Sequence, residues 1–252
     1  EITYGDWSSD VCSSDLSRTE VVDEGAGVAE YLHSQPGTFR VYSPSYSLPQ
    51  QTAALYDLEL ADGVDPLQLT SYANYMESAT GVPFTGYSVT IPPYHQESLQ
   101  SSNQSYLPDI QRLSLLNVKY IVSDFDLVED GLVLRAKLGE KRIYQNLDVY
   151  PRAWIQGETG TGKGYPLSVD SIERTPNRIV ISATGPGLLV LSEINYPGWM
   201  VTVDGNPSEI TTVQDIFRGV TIASGEHEII FRFSPASLRI GFALASLTWF
   251  II

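Results

Sequence analysis

The residues best placed to hold a ligand are Tyr196, Trp199 and Arg218. Tyr196 and Trp199 flank a Pro-Gly turn at 197–198. An aromatic pair in that position can stack on the C–H face of a sugar ring. Arg218 brings a guanidinium fork that suits an anionic group. The same residues also admit a structural reading, with Trp199 as a core plug and Arg218 paired with a carboxylate such as Asp204 or Asp215.

Other chemistry is poorly provided for. GETGTGK at 157–163 nearly spells a phosphate-binding loop, but Gly164 stands where a hydroxyl would meet magnesium. Tyr165-Pro166 then blocks the helix whose N-terminus would grip phosphate. His33, His95 and His227 fall in no metal-binding frame, and no G-x-S-x-G elbow is present. Asp124 with Asp126, and Glu129 with Asp130, lie where a turn places solvated charge. No catalytic residue, no metal ligand and no cofactor is therefore expected.

The elements that must position Tyr196, Trp199 and Arg218 are strands. Leu188 to Glu193 is apolar and β-prone, and Trp199 to Val203 alternates with period two. Asp204-Gly205 is a hairpin turn signal, because glycine accepts the positive φ that a tight hairpin needs. Ile210–Val213 and Phe217–Ile222 follow, Ser224-Gly225 is read as a further turn, and His227–Phe233 alternates again. This spacing predicts an antiparallel β-sandwich over 169–235, with Leu189, Val201, Val203, Phe217, Ile229 and Phe231 in one core.

Upstream, helix and strand signals mix. A short helix is expected near Val28–Leu32, a strand over Thr38–Ser43, and a helix or irregular apolar segment over Thr52–Leu60. Helical spacing marks Leu67–Ala79, and residues 80–106, rich in Gly, Pro and Ser, read as an excursion over the surface. A helix at Asp109–Leu116, a buried strand at Val118–Ser123, a hairpin through Gly139-Glu140 and a strand at Arg152–Gln156 complete this half. The fold class is thus α+β: a mixed α/β subdomain over 17–156, a Gly/Thr linker at 157–168, then the sandwich. Ile240 to Ile252 carries no charge over thirteen residues. A full spanning helix takes about 20, so 238–252 reads as the start of a transmembrane helix.

The chain has 252 residues and a net charge of −15, which argues against nucleic acid, since binding it requires basic surface to displace counterions. It also argues against docking on anionic lipid through charge alone. Cys12 is the only cysteine. It lies in DWSSDVCSSDL at 6–16, which reads as the translation of a common sequencing-library adapter. Residues 5–16 are therefore expected to be foreign to the fold, as part of an artefactual or disordered leader over 1–16.

Several stretches together carry a resemblance: FRVYSP at 39–44, DGVDPLQL at 62–69, LLNVKYIVS at 115–123, PRAWIQGE at 151–158, and NYPGWMVTVDGNP with FRGVTIASGEHEIIFRFSP further on. In this order they resemble the C-terminal part of the YfhO-like family, large multi-pass bacterial membrane proteins related to the GT-C glycosyltransferases. The resemblance implies an extracytoplasmic accessory domain at the cell membrane, attached to a transferase that uses a polyprenyl-phosphate sugar to modify cell-surface polymers. The family's catalytic carboxylate belongs to an early outer loop with no counterpart here, so no catalytic residue carries over. The alternatives are a non-catalytic envelope domain that binds glycan or a partner protein, and a free-standing β-rich binding protein.

Overall fold

The computed structural model describes residues 25–84, 86, 88–94, 101, 103–156, 167–237 and 240–241. The leader at 1–16, the stretch 157–163 with most of the expected linker, His95, and the apolar run from 242 onward lie outside them.

A five-stranded mixed sheet forms the first half. Its strands are β1 (Arg40–Tyr42), β2 (Glu59–Leu60), β5 (Val118–Ser123), β6 (Leu132–Leu138) and β7 (Lys141–Asn146), in the order β2-β1-β5-β7-β6. β1 runs parallel to β2 and β5, and β5, β7 and β6 run antiparallel. Alternation sends Val41, Tyr120, Val122 and Ile143 to one face, where α1 (Ala26–His33) and α2 (Gln50–Leu55) cover them. Tyr42, Ile121 and Tyr144 point to the other face, under α3 (Thr70–Thr80) and α4 (Ile110–Leu115). Asp109 caps α4 by accepting from the Arg112 N–H at 3.1 Å. The segment Thr52–Leu60 resolves into the end of α2 followed by β2. The 80–106 stretch is less superficial than its composition suggests. β4 (Thr90–Ile91) pairs with β3 (Gly63–Val64), and Val82, Ile91 and Asn103 are buried.

The second sheet is antiparallel and sandwich-like. Its strands are β8 (Ala153–Gln156), β9 (Leu167–Ser168), β10 (Ser171–Thr175), β11 (Arg178–Ile194), β12 (Trp199–Val203), β13 (Asn206–Ser208), β14 (Thr211–Val213) and β15 (Phe217–Phe233). The main order is β13-β12-β15-β11-β8-β9. β11 and β15 have 17 residues each, against a usual strand of about 5–6. They pair along their whole length and bury one apolar face upon itself: Ile179, Ile181, Ala183, Leu189 and Leu191 with Val201, Val220, Ile222, Ile229 and Phe231.

Ser224-Gly225 is therefore not a chain reversal. It is a bulge inside β15, opposite Gly185 and Gly187: between these points β11 advances two residues and β15 three. A side chain at Gly185 has no room, since its Cβ would lie 1.9 Å from the Ala223 carbonyl oxygen. Gly185→Ala is expected to cost at least about 1–3 kcal/mol, the usual range for overpacking. Chemical denaturation would measure it, and a neutral result would show that the strands do not meet there.

The bulge also corrects one core assignment. By inserting a residue it exchanges the inward parity of β15 from 229 and 231 to 220 and 222. Phe217 consequently faces away from the sandwich core. It is fully buried in a second core shared with the first half, edge-on to Tyr75 at 5.4 Å and to Trp154 at 6.2 Å between ring centroids. Val203 packs at the sandwich core's margin, half-buried. Among the described residues no helix is long and apolar enough to cross a membrane.

Candidate functional site

The turn after β11 and the start of β12 bring Tyr196 and Trp199 to the rim of an open groove. It is also lined by Asn195, Met200, Pro207 and Ile210, with a volume near 630 Å³. Tyr196 and Met200 are about half exposed. Trp199 pairs in register with Phe233, their ring centroids 5.3 Å apart, and Tyr196 lies 6.4 Å from the same ring. The chain leaves the sheet here: the Ser234 N–H donates to the Gly198 carbonyl at 2.8 Å.

Arg218 belongs to the same assembly but lies behind the groove. Its guanidinium carbon sits 3.7 Å from the centroid of the Trp199 ring, and its Nε donates to the Ile194 carbonyl at 3.0 Å. It is 4% exposed, and Nη1 has no hydrogen-bond partner among the described residues. Burial lowers its pKa to about 10 against the opposing pull of Glu193. The expected pairing with Asp204 or Asp215 is not what forms. Asp204 instead meets His227 Nδ1 at 2.7 Å and accepts from the Glu228 N–H. Arg218 thus packs against the Trp199 ring, and Trp199 in turn lines the groove.

A second concavity, near 250 Å³, lies over the loop 62–69. Asp62 is 7% exposed and accepts from the Ser43 N–H at 2.9 Å. Burial pushes its pKa up to about 7, against the opposing effect of backbone hydrogen bonds. The loop is pinned from three sides. Gln50 Oε1 accepts from the Val64 N–H at 3.0 Å, Gln68 Nε2 donates to the Asp65 and Ser88 carbonyls, and the Tyr72 hydroxyl donates to the Ala61 carbonyl at 2.5 Å. Sequence reasoning passed over this site because D-G-V-D-P has the look of a solvated turn. The available signal was its place among the resembling stretches.

A charge network joins the two sheets. Arg40, Arg152 and Arg174 surround Glu59 and Glu193. Arg174 contacts Glu59 at 2.9 Å, Arg40 and Arg152 reach Glu193 at 3.4 and 3.5 Å, and Arg152 bonds closely to Glu59. Arg152 is 3% exposed on its side chain, and burial, then Arg40, lowers its pKa to about 10. Burial raises the Glu59 pKa, but Arg152, Arg174 and Arg40 together overcome it and hold the carboxyl below its ordinary value. His33 Nδ1 donates to the Tyr56 carbonyl at 2.8 Å. Among the described residues no group of three or more His, Cys, Asp or Glu is gathered for a metal.

Comparison with known proteins gives one family: the model described as bacterial membrane protein YfhO matches residues 156–245. The match runs from the last residue of β8 through the groove and both long strands to the start of the apolar run. No curated protein and no solved structure matches the chain.

Proposed function

We propose, for a chain that is YfhO-like over residues 156–245, that it forms an extracytoplasmic accessory domain of a membrane-bound, lipid-linked-sugar-dependent glycosyltransferase acting on cell-surface polymers. The matched family model is described as a bacterial membrane protein, which supports membrane association of the parent. The mixed subdomain at 17–156, the linker at 157–168 and the sandwich at 169–235 would stand outside, with 238–252 beginning the span. Tyr196 and Trp199 would carry sugar contact, with Arg218 packed against the indole. The observation that supports this most is the position of the groove. Its rim is hydrogen-bonded to the segment that leads into the uncharged run 240–252, so a sugar on a polyprenyl-phosphate carrier would be held within reach of it.

The membrane side is tested by cysteine labelling. Ser171, exposed on β10, is replaced by cysteine in a full-length parent from which any other cysteine has been removed, and intact cells are treated with a membrane-impermeant thiol reagent. Labelling of intact cells is the expected result, and labelling only after lysis would place the domain in the cytoplasm. For the groove, Trp199→Ala is expected to reduce sugar transfer by the parent roughly tenfold, as befits the loss of one stacking contact. The openness of the groove also favours a second reading, a non-catalytic envelope domain that binds glycan or protein. Transfer that survives Trp199→Ala while glycan binding is lost would favour that reading.

A further inference from the structure

We propose that the cleft over residues 62–69 is a second site, separate from the aromatic groove, and that it binds a single neutral sugar ring. The chemistry of its walls decides the class of ligand. Asp62 and Asp65 line it and, among the described residues, no lysine or arginine does, so an anion would find no cationic partner there. Two carboxylates are too few for a cation site, and no third His, Cys, Asp or Glu joins them among the described residues. A purely apolar ligand would cover Asp62, Asp65 and the Gln68 amide without offering any of them a hydrogen bond.

A neutral molecule rich in hydroxyl donors, with one C–H face, satisfies every wall. Its hydroxyls would donate to the Asp65 and Asp62 carboxyl groups. Gln50, whose Oε1 is already engaged by Val64, has an amide Nε2 to offer in return. Leu69, Ile91, Ile194 and the Tyr72 ring supply the apolar side. Burial keeps the Asp62 carboxyl partly protonated near neutrality, so it can give as well as take a hydrogen bond. A volume near 250 Å³ is below the range of about 300–1,000 Å³ for drug-sized ligands, which favours one ring over an oligosaccharide. The site is preorganised, because Gln50, Gln68 and Tyr72 hold the loop open through hydrogen bonds to backbone atoms.

The test uses the full chain, labelled with nitrogen-15 and titrated separately with glucose, galactose and N-acetylglucosamine. At least one sugar is expected to shift the amides of Asp62, Gln68 and Leu69 saturably and to leave those of Tyr196 to Met200 unmoved. Leu69→Trp, which fills the cleft without touching its polar pins, should weaken that binding by at least about tenfold, because the added indole takes the volume the ring would occupy. Tyr196→Ala should leave it unchanged. Absence of shifts with all three sugars would overturn the proposal, as would shifts confined to Tyr196–Met200 or binding unaffected by Leu69→Trp. Because the groove and the cleft report on different amides, failure here is distinct from failure of the groove's assignment.

Discussion

Phe231→Ala is expected to lower the unfolding free energy by about 3–5 kcal/mol, the range for a fully buried phenylalanine that leaves a cavity. Phe231 has no exposed surface and sits on the central strand of the second sheet, opposite Ile179 on one side and Val201 on the other. Those neighbours are held by strands paired along many residues, so they cannot collapse to fill the void, and the cost should fall in the upper part of that range. Urea unfolding followed by circular dichroism measures it. A loss below about 1 kcal/mol, a typical surface effect, would mean the strand presents its other face to the core.

The charge network gives the second large effect, and its arithmetic predicts an order. Three arginines face two glutamates, so removing Arg152 neutralises the set whereas removing Glu193 leaves Arg40, Arg152 and Arg174 around Glu59 alone. Glu193→Gln is expected to cost about 3–5 kcal/mol, the usual penalty for orphaning a buried charge, and Arg152→Met clearly less. The pH dependence has a definite sign. Glu59 is held below its unfolded value, so its contribution is complete above the ordinary glutamate range and is lost as pH falls through the folded pKa. In Arg152→Met this acid-side loss should shrink, since the first of the guanidiniums lowering Glu59 is gone. Melting curves from neutral to acidic pH check both points. Equal costs for the two variants would refute the order.

How much of this was legible in the chain depends on how local the cause is. The Asp204-Gly205 hairpin was, because both residues take positive φ, 50° and 79°, and that demand is written in the dipeptide. The inward set at Ile229 and Phe231 was, because period two needs no partner to be seen. Phe217 was not placed correctly, because the parity of β15 is reset by a bulge that exists only when β11 lies opposite. Ser224-Gly225 has the same composition whether it turns the chain or bulges within it.

The candidate site divides the same way. That Trp199 and Arg218 are special residue types was readable, but the stacking of one on the other was not. They lie on different strands and at opposite ends of the β15 ladders, Trp199 opposite Phe233 and Arg218 opposite Leu191, and they meet because the two halves of β15 pack face to face, with Arg218 also 5.9 Å from the Phe231 ring. Asp62 was hidden for the opposite reason. Its neighbours in sequence are turn-formers, and only the packing of β1 and the cleft walls removes it from water.

The position of β15 has a mechanical consequence. The described sheet releases its chain at Phe233, from a strand flanked on both sides, by β11 through Arg178↔Arg232 and by β12 through Trp199↔Phe233. A pull on the downstream segment along the strand axis loads both ladders in shear, with many hydrogen bonds sharing the force at once. A chain leaving from an edge strand would be peeled one bond at a time. The second sheet thus secures the segment that follows Phe233 to a strand hydrogen-bonded on both sides, so that axial force on it would be shared by many bonds.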